Sequence, residues 1–124
     1  MTDFILKQQS FVQDDIPTRL GYLAVNLSQI KTLWLEGLHQ DSIIQLVKES
    51  RYFIEWIVPD MVKADDIDQA AELVDLVRVL TRWLFKWDTI WSDATEKLSA
   101  AQQTENWLKR VLEISGRESE SLSA

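Results

Sequence analysis

DIDQAAELVDLVRVLTRWLFKWDTIW, residues 66–91, decides how the chain is read. On a helical wheel at about 100° per residue, Ala70, Leu73, Val74, Leu76, Val77, Leu80, Trp83, Leu84, Trp87 and Trp91 spread over more than half of the circumference. A surface helix needs a narrower apolar stripe. An arc this wide predicts one long helix covered on two sides, in the middle of a bundle. The remaining sector is charged and ordered: Asp66, Asp68, Glu72 and Asp75 come first, then Arg78, Arg82 and Lys86. That order suits the helix dipole and reads first as a solvated face. Trp83, Trp87 and Trp91 recur every four residues and form a drifting row. Such a row is either core and subunit interface or the wall of a ligand pocket, and helical spacing favours core or interface.

Upstream, Asp14, Asp15, Ile16 and Pro17 mark a helix start, because proline is tolerated in a first turn and a preceding aspartate can cap free amides. Leu20, Leu23, Ala24, Leu27, Ile30, Trp34 and Leu38 then hold one face, predicting a helix over 17–38. A second helix is expected over 41–58, with Asp41 as its cap, the stripe Ile43, Leu46, Val47, Ser50, Phe53, Ile54 and Ile57, and Pro59 as its stop. Tyr52 and Trp56 fall off this stripe, which marks them as a contact surface. Downstream, Asp93-Ala-Thr-Glu96 resembles a capping box and opens a helix over 94–115, ended by Gly116. Residues 1–13, with Phe4, Phe11 and Val12 at helical spacing, make a short helix or arm that folds on the bundle or on a neighbouring subunit. The expected architecture is all-α, an antiparallel up-and-down four-helix bundle with a short N-terminal helix or arm. Residues 1–116 form one domain and 117–124 (RESESLSA) a tail without fixed structure.

Composition narrows the function classes. The chain of 124 residues is acidic, with a formal net charge of −7, so its overall field repels nucleic acid and anionic lipid. It has no cysteine, which removes disulfides, thiolate metal sites and cysteine nucleophiles. No apolar run reaches the length of a membrane span, and MTDFILKQQ lacks the basic and long apolar regions of a signal peptide. A soluble cytoplasmic protein is therefore expected.

Two short patterns suggest metal chemistry. Glu36-Gly-Leu-His39 has the Glu-x-x-His spacing of carboxylate-bridged di-metal bundles, but that centre needs the motif twice and His39 is the only histidine. Glu72-Leu-Val-Asp75 looks like half of the Glu-x-x-Asp signature of all-helical nucleoside triphosphate pyrophosphatases, which implies magnesium-dependent nucleotide hydrolysis. The upstream Glu-x-x-Glu of that family is missing, since Tyr52 follows Glu49 and Val58 follows Glu55 at the third position. No glycine-rich phosphate loop and no triad can be assembled. The helix after Leu38 is not basic enough to read DNA. No catalytic residue, cofactor or metal ligand is therefore assigned.

Six tryptophans are many for one small core, and tryptophan is enriched at interfaces. The function expected is non-enzymatic protein–protein interaction with self-association, a homodimer first. Tyr52, Trp56, Trp83, Trp87, Trp91, Arg78, Arg82 and Lys86 are the candidate interface residues. The alternatives are a metal-dependent nucleotide phosphohydrolase using Glu72 and Asp75 with Glu36 or Glu49, and a small-molecule binder. The latter would use a pocket beside Trp83 and Trp87 with Arg82 or Lys86 at its mouth.

Overall fold

The computed structural model describes residues 2–116, and every regular element among them is a helix. In order these are α1 Thr2–Gln13, α2 Ile16–Glu36, α3 Gln40–Lys63, α4 Ile67–Phe85, α5 Trp87–Trp91 and α6 Ala94–Ser115. The tail expected over 117–124 lies outside the described residues.

Local chemistry explains most of the boundaries. Asp15 caps α2 by accepting the Thr18 N–H at 2.8 Å, with Pro17 in the first turn. Asp93 caps α6 by accepting the N–H groups of Thr95 and Glu96 at 2.8 and 3.2 Å. Gly116 closes α6 in the left-handed conformation that glycine adopts without strain.

Four boundary expectations are corrected. α2 stops at Glu36, two residues short of Leu38, because Gly37 takes φ 69° and turns the chain. Asp41 does not cap α3: the cap position is His39, without a side-chain bond, and Asp41 lies in the first turn. Pro59 does not end α3, which continues to Lys63. A proline inside a helix removes one backbone bond and crowds the carbonyl four residues back. The carbonyl concerned is that of Glu55; close by, the Arg19 guanidinium reaches across from α2, its Nη1 donating to the Trp56 carbonyl at 3.2 Å and to the Asp60 carboxylate at 2.8 Å. The single helix expected over 66–91 is also broken. α4 ends at Phe85 and Lys86 forms a bend, so α5 is a separate turn.

The middle of the assembly is α2, not the segment after residue 66. α2 packs most closely against α6 and next against α3, while α4 lies mainly on α3. Ala100, Ala101 and Thr104 are buried small residues of α6, which lets its backbone come close to α2. α2 buries Leu20, Leu23, Leu27, Ile30 and Trp34 completely or nearly so. α4 buries one stripe, Ala70, Leu73, Leu76, Leu80 and Trp83. Of the rest of its wide apolar arc, Val77 and Leu84 are half-buried against the core and Val74 is exposed.

Candidate functional site

The tryptophan row is turned inward by the bend at Lys86. Trp34 of α2 lies 5.7 Å from Trp83, 5.2 Å from Trp87 and 6.2 Å from Trp91, ring centre to ring centre. Trp87 stacks on Trp91 at 5.7 Å, and its indole N–H donates to the Gln40 side chain at 2.9 Å. Trp83 and Trp87 are buried, and Trp91 is half-buried with the Lys97 ammonium 4.7 Å above its ring. Four of the six indoles are therefore consumed by one internal cluster.

Tyr52 and Trp56 of α3 both meet a ring of α1, which covers Trp56 in part. Phe4 of α1 meets Tyr52 at 4.9 Å and Trp56 at 5.5 Å, while Phe11 stacks on Phe53 at 4.5 Å. Lys7 pairs with Glu49 and holds α1 in place. Trp56 is thereby half-buried and Tyr52 stays exposed.

A further exposed apolar surface is the outward side of α4. Ile67, Ala71, Val74 and Phe85 are all exposed, and Phe85 is 87 % accessible. Ile67, Val74 and Phe85 are spaced by about two and three helical turns, so they return to one line along the helix. Beside that line runs a charged edge, Asp68 and Asp75 followed by Arg78, Arg82 and Lys86, all exposed. Arg78 touches Asp75 at 3.3 Å, and the side chains of Arg82 and Lys86 make no hydrogen bond or ion pair with a described residue. Ile67 and Phe85 were not singled out from sequence. Their common register with Val74 was the available signal, hidden because they fall in the sector that the charges dominate.

Between α4, α5 and α6 lies a cleft of about 170 Å³, lined by Arg82, Trp83, Lys86, Ile90, Glu96 and Gln103 among others. Trp87 is not among the residues that line this cleft. Glu96 is the one carboxylate there.

The carboxylates considered for metal binding are dispersed or engaged. Arg110 of α6 grips both oxygens of Glu72 at 2.5 and 2.8 Å, and these bonds hold its carboxyl below the usual range against a smaller effect of burial. The same contact raises the Arg110 guanidinium. Glu105 of α6 is likewise lowered, chiefly by its bond with Lys31 of α2. Glu36 closes α2 while His39 lies beyond the left-handed Gly37, so the two do not share a helical turn. Among the described residues no three histidine, aspartate or glutamate side chains are grouped to hold a metal ion. Nor is any helix among them long and apolar enough to cross a membrane.

Comparison with protein-family models, with curated proteins and with solved structures finds no match to the chain.

Proposed function

We propose that the protein is a small non-enzymatic interaction module of the cytoplasm that self-associates through the outward face of α4. In this reading α2, α3, α4 and α6 act as an antiparallel up-and-down four-helix bundle that presents that face. The short connections after α2, α3 and α5 favour such an order. The observation that carries the proposal is the exposure of Phe85 in line with Ile67 and Val74. Single exposed apolar side chains are ordinary on any protein, whereas an aligned set is the mark of a contact surface. Arg78, Arg82 and Lys86 border it and keep the role expected of them. Trp83, Trp87 and Trp91 support the face from behind.

Light scattering over a dilution series tests this. The expected result is a mean mass above the 14.4 kDa of one chain that falls towards it on dilution, and a monomer at all concentrations for Phe85→Ser. A wild-type chain that stays at 14.4 kDa throughout would remove self-association. The small-molecule reading has one specific observation in its favour, the free Arg82 and Lys86 beside Trp83 in the cleft. It requires a ligand that raises the melting temperature without changing the mass. The phosphohydrolase reading has less support, because Arg110 already neutralises Glu72.

A further inference from the structure

We infer that the partner on the α4 face is a second copy of the chain laid antiparallel, with the acidic half of each helix opposite the basic half of the other. The inference rests on the self-association just proposed and specifies its geometry. Along the exposed edge of α4 the charges are segregated, Asp68 and Asp75 towards the N-terminus and Arg78, Arg82 and Lys86 towards the C-terminus. Two copies related by a two-fold axis perpendicular to the helix bring the same flank of each helix together, in reverse order. The midpoint of such a pair falls between Leu76 and Val77. Ile67 then meets the second copy's Phe85, and Asp68 meets its Lys86. Parallel pairing would put the two charged edges on opposite flanks of the contact and leave Asp68 and Lys86 of each copy without an opposite charge across it.

The charged edge selects the arrangement, because Ile67 and Phe85, at opposite ends of α4, find an apolar partner in either orientation. The Lys86 side chain, which has no partner among the described residues, gains Asp68 of the second copy. The contact runs along one helix of about 28 Å, at the small end of stable interfaces, so a dissociation constant of roughly micromolar order is expected.

Charge exchange in the full chain decides the matter by sedimentation equilibrium. Asp68→Lys and Lys86→Glu should each weaken the dimer by about ten-fold, because the two-fold counts every reversed pair twice. The double variant D68K/K86E should return to within about three-fold of wild type. Single substitutions without effect, or a double variant no better than the singles, would overturn the antiparallel register while leaving self-association intact. A wild-type chain that is monomeric at every concentration would overturn both. The absence of cysteine allows an independent reading. Arg78→Cys lies beside the axis and should oxidise to a disulfide dimer, whereas Ile67→Cys, about 28 Å from its mate, should not. Parallel pairing would set each position level with its own copy, so a disulfide at Ile67→Cys would sink the inference.

Discussion

The two aromatic clusters are built from similar side chains and held in different ways. Around Trp34 the rings of Trp83, Trp87 and Trp91 close on one another, and one hydrogen bond, from Trp87 to Gln40, finishes the joint. Around Trp56 the rings of Phe4, Phe11, Tyr52 and Phe53 are brought together by α1, which few other contacts retain. There the fastening is polar: Lys7 to Glu49, Arg19 to Asp60, Tyr22 to Asp14. The first cluster is a core that happens to be aromatic. The second is a docked arm whose hold depends on ionisation.

The largest expected difference between them is in truncation. Trp34 is 2 % exposed and touches three other indoles, so Trp34→Ala should cost about 3–5 kcal/mol by leaving a cavity among them. Trp56 is half-buried under a short helix, and Trp56→Ala should cost about 1–2 kcal/mol. Urea unfolding followed by circular dichroism measures both. Equal losses would mean that α1 is as integral as α5 and would dissolve the contrast.

Arg19 is the next place to press, because it joins the second cluster to α3. Its guanidinium is buried, lies 6.0 Å from the Phe11 ring and supports the backbone around Pro59. Arg19→Ala removes the stem and both bonds, at an expected cost of about 2–3 kcal/mol. Arg19→Met restores the packing alone and should recover part of that. A variant as stable as wild type would show that α3 passes through Pro59 unaided.

How much of this was legible beforehand differs between the same regions. The α2 stripe reads directly, since Leu20, Leu23, Leu27, Ile30 and Trp34 recur at the helical period and all five are buried. Leu38 belongs to that period too, yet Gly37 turns the chain first. Pro59 reads locally as a stop, yet α3 runs on to Lys63, and the Arg19 contacts on either side of the proline come from another helix. That Tyr52 and Trp56 lie off the α3 stripe was readable, but not the partial cover of Trp56, since no local pattern says where an N-terminal helix will dock. For the α4 surface, periodicity supplied a wide apolar arc without saying which part the chain would bury. Phe85 escaped notice among charged neighbours, and its exposure emerges only once the neighbouring helices are in place.

The smallest predicted effect separates the clusters by pH. Glu49 is subject to burial, which raises its carboxyl, but the bonds from Lys7 and Asn26 prevail and the net position is below the usual range. A lowered folded-state value contributes stability that is fully present above the unfolded value, about 4.3, and is lost as the pH falls through the folded one. Acidification below about pH 4 should therefore release Lys7 and loosen α1 while the Trp34 cluster, which contains no carboxylate, stays closed. The indole N–H resonances report on each tryptophan separately: Trp56 should shift first, and Trp34, Trp83 and Trp87 should follow only with global unfolding. Lys7→Met should abolish the early step, because Glu49 then loses the partner that makes its ionisation matter to α1. If all the indoles moved together in the wild-type chain, the arm would be no less firmly held than the core, and the distinction between ring packing and charge fastening would fail.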